Sequence, residues 1–156
     1  MRYAGLETND MINGEGVCVS FWTQGCPHKC ENCHNPETWD FNGGENLPND
    51  IRGQIIKAIS ANGLTRNFSV LGGEPLCDYN IDLVTDIVGA VRIAYPNIKI
   101  FLWTGYLLED FNERQKEVLS KIDILIDGPY IDSLRDITLK FRGSTNQRVL
   151  EKGIDF

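Results

Sequence analysis

After residue 50 the apolar positions of the chain alternate between two rhythms. Ile51, Ile55, Ile56 and Ile59 recur at helical spacing across Asp50–Ala61, with Gly63 as a stop. Phe68–Leu71 is a short apolar run, read as a buried strand, and it ends in Gly72-Gly73. Leu83, Ile87, Val88 and Val91 give a second helix over Asp82–Ala94, with Pro96 beyond it. Ile98–Thr104 reads as a strand ending at Gly105, and Leu108–Leu119 as a third helix rich in Glu, Arg and Lys. Ile122–Ile126 is another strand, followed by Asp127-Gly128-Pro129. Upstream, Val17–Trp22 is the expected first strand. Downstream, Ile137–Phe141 and Gln147–Leu150 are expected as short late strands, antiparallel to the rest.

Strand, turn and helix in repetition predict βα units and a mainly parallel sheet, an α/β fold. A closed eight-unit barrel takes about 250 residues, so this chain can supply only about half to three quarters of one. The expectation is an open, partial (βα) barrel forming a single domain over residues 1–156. In such folds ligands sit at the carboxyl ends of the strands. The segments that follow strands therefore belong on one rim: the loop after Trp22, Gly72-Gly73-Glu74-Pro75, Gly105 and Asp127-Gly128-Pro129. The Asn42–Asn46 stretch is read as a loop too short to separate domains.

Composition narrows the function. Of 156 residues, 42% are hydrophobic and 24% charged, as in globular proteins. The net charge of −7 argues against a general nucleic-acid binder or a protein drawn to anionic membranes. No apolar run approaches the roughly 18 residues of a membrane span. The first 25 residues carry Glu7, Asp10 and Glu15 and no apolar core of a leader, so a cytoplasmic protein is expected. Five cysteines and two histidines are present. Cys26, Cys30 and Cys33 fall within eight residues, and His28 and His34 lie in or beside them. That clustering points to metal rather than to a disulfide framework.

The spacing C-x3-C-x2-C lets three thiolates wrap one metal centre. A [4Fe–4S] cluster held by three cysteines keeps one iron open for a ligand. Zinc held by Cys26, Cys30 and Cys33 with His34, His28 or Cys77 is the rival on spacing alone. Cys18, in the first strand, and Cys77 read as buried small apolar residues.

This cysteine loop after an early strand, paired with a strand ending in Gly72-Gly73-Glu74-Pro75, resembles the radical S-adenosylmethionine (SAM) enzymes. Further segments are similar to one subgroup, the activating proteins of anaerobic ribonucleoside-triphosphate reductase. They are Gly14-Glu15-Gly16, Trp22–Cys26, Asn35-Pro36-Glu37-Thr38-Trp39, Asp127–Tyr130 and Phe141–Arg148. The resemblance implies a [4Fe–4S] cluster on Cys26, Cys30 and Cys33, with SAM chelating the open iron. It also implies SAM contacts from Asn32, Cys33, His34, Gly72, Gly73 and Glu74. Glu74 would accept the methionine ammonium, and the two glycines would let backbone approach the ligand. Asn32 stands where many of these enzymes carry an aromatic residue, which implies adenine contact from backbone and His34.

The implied reaction is reductive cleavage of SAM to a 5′-deoxyadenosyl radical, which takes hydrogen from a glycine of the large reductase chain. A flavodoxin-like protein is the implied electron donor. The partner's glycine loop is expected on the rim of the cysteine loop, Gly73, Gly105 and Asp127. Arg142 and Arg148 are candidates to hold a carboxylate. The alternatives are a small-molecule radical SAM enzyme of the carboxy-deazaguanine synthase type, and a zinc module without catalysis. The chain looks too short to close a small-molecule pocket, which favours a protein substrate.

Overall fold

The computed structural model describes residues 1–156. Its strands are β1 (Arg2–Asp10), β2 (Cys18–Thr23), β3 (Glu45–Asn46), β4 (Asn67–Gly72), β5 (Ile100–Trp103), β6 (Ile124–Asp127) and β7 (Arg148–Glu151). Three α-helices, α1 (Ile51–Ile59), α2 (Ile81–Ala94) and α3 (Glu113–Leu119), lie between the later strands. They join into one seven-stranded sheet in the order β3-β1-β2-β4-β5-β6-β7. The four central strands, β2, β4, β5 and β6, are mutually parallel, and both flanks are antiparallel. No helix is long and apolar enough to cross a membrane.

Alternation along the parallel strands divides the sheet into two faces. Val19, Phe68 and Ile100 stand in one row, and Phe21, Val70, Leu102 and Leu125 in the next. All are buried in the main core with Ile51, Ile55 and Ile59 of α1, five residues of α2 and Val118 of α3. The three helices therefore cover this one face. The opposite face carries Ser20, Ser69, Phe101 and Ile124 in one row, and Trp22 beside Leu71 in the next. Residues 11–16 fold over it. Ser69 donates to the Asn13 carbonyl at 2.6 Å, and Ser20 donates to Asp10 at 2.6 Å. A Cβ on Gly14 would come within 2.7 Å of Cys18 Sγ, so only glycine lets this strap lie flat.

Four expectations are corrected. β1 was not anticipated: its polar, half-exposed sequence lacks an apolar alternation, and it forms because β2 offers it a pairing edge. Two residues of the loop read over Asn42–Asn46 pair with β1 as β3. Ile137–Phe141 is not a strand. Asp136 accepts bonds from the Thr138 backbone and hydroxyl, Ile137 is 81% exposed, and Phe141 turns through φ +67°. The third helix starts five residues late, at Glu113, because Asn112 and Gln115 form a reciprocal capping box there.

Candidate functional site

The cysteine loop leaves β2 and is clamped at its root by backbone. Gly73 N–H donates to Thr23 O at 2.9 Å, and Glu74 N–H to Gly25 O at 2.8 Å. A Cβ on Gly72, at φ +110°, would lie 2.5 Å from Thr23 O, and one on Gly73 would lie 2.3 Å from Gly25 O. The two glycines thus let the end of β4 press against the chain entering the cysteine loop. Asn80, fully buried, donates to the carbonyls of Gln24 and Glu74, joining the same two turns from below. On the far side, Thr38 O and Trp39 O accept from Gly25 N–H and Cys26 N–H, at 2.7 and 3.2 Å.

Inside this frame Cys26, Cys30 and Cys33 line one cavity of about 130 Å³, together with His28, Trp39 and Glu74. Lys29 and Asn32, the residues before Cys30 and Cys33, both take left-handed backbone (φ +50° and +56°), and the two turns curl the loop. The thiols do not converge at metal-bonding distances in this conformation. Burial pushes the Cys26 thiol up to about 11, partly offset by the polar backbone of His28 and Lys29 nearby. Burial raises Cys30 as well, partly offset by the backbone of Tyr130. Such thiols hold their protons until a cation replaces them. Three soft sulfur donors on one short loop suit an iron–sulfur cluster. Cys77 and Cys18 are buried elsewhere and do not line the cavity.

Glu74 is fully buried, and all four of its close partners are protein groups. Its Oε1 accepts from Gly105 N–H at 2.7 Å and pairs with His28 Nε2 at 2.7 Å. Its Oε2 accepts from Leu76 N–H and the Thr104 hydroxyl, each at 2.8 Å. A carboxylate accepts only, so the His28 ring carries a proton on Nε2. The ring also meets Tyr106 edge-on at 4.6 Å and occupies the space that a Cβ on Gly105 would need. Burial and the Glu74 charge push Tyr106 up to about 12. The expectation of Glu74 facing a ligand missed this network. His28 was visible as an oddity of composition, but nothing in the sequence ties it or Thr104 to Glu74.

The other candidates separate. Asn32 is exposed and its side chain donates to Asp132 at 2.9 Å. His34 packs near Tyr130 (5.0 Å between ring centres) and, with Cys33, Gly72, Trp103 and Arg142, lines a second cavity of about 380 Å³ on the helix-free face. Arg142 Nη1 donates to Gln147 O at 2.7 Å. Arg148 is committed to Asp127 and Glu109. Asp127 is completely buried, where it also accepts from Leu108 N–H, so it cannot form part of an open docking rim. That expectation is corrected: strand ends face the rim, but a carboxylate between Arg148 and an amide is consumed internally.

The sequence matches the family described as "4Fe-4S single cluster domain" over residues 12–150. It is 34% identical to the anaerobic ribonucleoside-triphosphate reductase-activating protein of Escherichia coli K12 over 150 residues, covering 96% of this chain and 97% of that one. The protein of the same name from Haemophilus influenzae is 34% identical over 148 residues, covering 94% of this chain and 96% of that one. That from Enterobacteria phage T4 is 34% identical over 149 residues, covering 96% and 93%. The chain belongs to the family of anaerobic ribonucleoside-triphosphate reductase-activating proteins. The cysteine cavity and the Glu74 turn that walls it both lie within the matched residues.

Proposed function

We propose that this chain is a radical SAM enzyme that activates anaerobic ribonucleoside-triphosphate reductase by forming a glycyl radical on the large reductase chain. The observation that carries this is the cavity itself: three cysteines at C-x3-C-x2-C spacing share it with the Gly73-Glu74 turn, in a chain of this family. When bound, a [4Fe–4S] cluster and SAM supply reductive cleavage to a 5′-deoxyadenosyl radical that can abstract a glycine Cα hydrogen. Cys26, Cys30 and Cys33 would hold the cluster through their thiolates, and SAM would bind beside them.

The protein's part is holding and orientation. Glu74 would receive the methionine ammonium through a charge-assisted bond. Its carboxylate is engaged, so it must exchange a partner. His28 is the partner to release, because it is a side chain, 19% exposed and able to rotate away, whereas Gly105 and Leu76 donate from the backbone and Thr104 is buried. Gly72 and Gly73 set the height of the turn, and Asn32, Cys33 and His34 border SAM from the cysteine loop. An open partial barrel in a single domain over residues 1–156 is supported by sequential β2-β4-β5-β6 order with every helix on one face. The reductase then closes the open side. A flavodoxin-like electron donor and a cytoplasmic setting complete the reading.

The test is anaerobic incubation of reduced, cluster-loaded protein with SAM and the reductase, followed by electron paramagnetic resonance. A doublet radical on the reductase that requires SAM, reductant and absence of oxygen is the expected result. Stoichiometric zinc without sulfide in protein isolated anaerobically would overturn it.

A further inference from the structure

Trp39 closes the Asn35–Trp39 segment, to which the cluster and SAM contacts assign no role. Its backbone carbonyl accepts from Cys26 N–H at 3.2 Å, which places the residue directly across from the first cysteine. Trp39 lines the same cavity as Cys26, Cys30 and Cys33, and it also borders an outer pocket with Lys29 and Phe41. Its Nε1–H is buried and meets no acceptor anywhere in the protein. Three other buried side-chain polar atoms share that condition, on Asn80, Arg142 and Asn146, and none of those residues lines the cysteine cavity. The other tryptophan lining the cavity, Trp103, has already spent its N–H on Phe141 O at 2.6 Å. A buried donor without an acceptor is costly to keep, and an indole can only donate. The acceptors that this cavity lacks in the protein alone are the sulfurs of an assembled cluster.

We propose that the Trp39 indole N–H donates a hydrogen bond to a sulfur of the bound cluster and thereby raises its reduction potential. Reduction adds negative charge to the cluster, and a donor directed at its sulfur stabilises the reduced form more than the oxidised one. Trp39 is the residue of this cavity whose buried side-chain N–H has no acceptor in the protein. It is a positioning and tuning residue: it touches the cluster but moves no proton or electron. This rests on the reading of Cys26, Cys30 and Cys33 as cluster ligands. Iron and sulfide analysis of the wild type checks that reading separately.

The test is Trp39→Phe, which keeps an aromatic plug and removes only the donor. Reconstituted variant and wild type are compared for iron and sulfide content and for midpoint potential by titration in the absence of SAM. The expected result is equal cluster content with the potential of the variant shifted to more negative values. An unchanged or more positive potential in a cluster-loaded variant overturns the proposal. A second measurement does not depend on the variant assembling. In wild-type protein carrying ¹⁵N-indole tryptophan, pulsed electron–nuclear resonance on the reduced cluster should show an indole nitrogen coupling. The coupling should persist in Trp22→Phe and Trp103→Phe. Its absence from the wild type, or its loss with Trp103, overturns the assignment.

Discussion

The helix-covered face of the sheet and its carboxyl-end rim are equally buried but held by opposite means. On the covered face, Phe21, Phe68, Ile100 and Leu102 are fully buried among apolar neighbours, where other apolar side chains of similar volume are tolerated best. On the rim, Gln24, Glu74, Asn80, Thr104 and Asp127 are just as inaccessible, yet each is polar. There the structure depends on matched donors and acceptors and on glycines where two backbones nearly touch. The first kind of order tolerates exchange and the second does not. That is what a site needs if three thiols on a loop are to be presented at fixed height.

This contrast predicts a graded series of effects. Phe68→Ala on the covered face should be the most destabilising, by about 3–5 kcal/mol, since it leaves a cavity in a packed interior. Denaturant unfolding of the cluster-free protein measures it, and a cost below about 1 kcal/mol would mean the core is loosely packed. Gly72→Ala should come next. Strain at positive φ costs about 1–3 kcal/mol by itself, and the clash with Thr23 adds to it. Unlike Phe68→Ala, it should also impair cluster uptake at temperatures where the fold survives, as iron and sulfide content would reveal.

Glu74→Gln sharpens the comparison further. The amide group it introduces must face one of two pairs of donors, Gly105 N–H with His28 or Leu76 N–H with Thr104. The expected cost is about 1–3 kcal/mol. SAM binding to the loaded protein should weaken at unchanged iron content, read by calorimetry. Wild-type SAM affinity in that variant would remove Glu74 from the cofactor site.

The smallest effect is a pH dependence. Cys26 is raised by burial from 9.0 to about 11 in the folded chain. Its favourable contribution is complete below pH 9.0 and is lost as pH rises toward 11, because the unfolded chain ionises first. Stability of the cluster-free protein should therefore fall more steeply over that window in wild type than in Cys26→Ala. Parallel slopes would contradict this.

The same contrast explains what the sequence made legible. Ile51, Ile55 and Ile59, or Phe68–Leu71, announce themselves because apolar burial has a period. The cysteine spacing and Gly72-Gly73-Glu74 were equally plain. The partners of Glu74 were not: they come from residues 28, 76, 104 and 105, and hydrogen bonds between separate turns leave no periodic trace. Asp127 could be read either as a rim contact or as part of a structural Asp-Gly-Pro turn, and its partner Arg148, which decides for the structural role, is 21 residues away. β1 was missed because a half-exposed strand near the sheet edge needs no apolar rhythm.

The central claim is that this rim generates a radical that acts on a glycine of the reductase. Reductase carrying deuterium at its glycine Cα positions, incubated anaerobically with cluster-loaded protein, reductant and unlabelled SAM, tests it most directly. The account predicts deuterium in the recovered 5′-deoxyadenosine, in step with growth of the radical on the reductase. Unlabelled 5′-deoxyadenosine together with consumption of a small metabolite would contradict it.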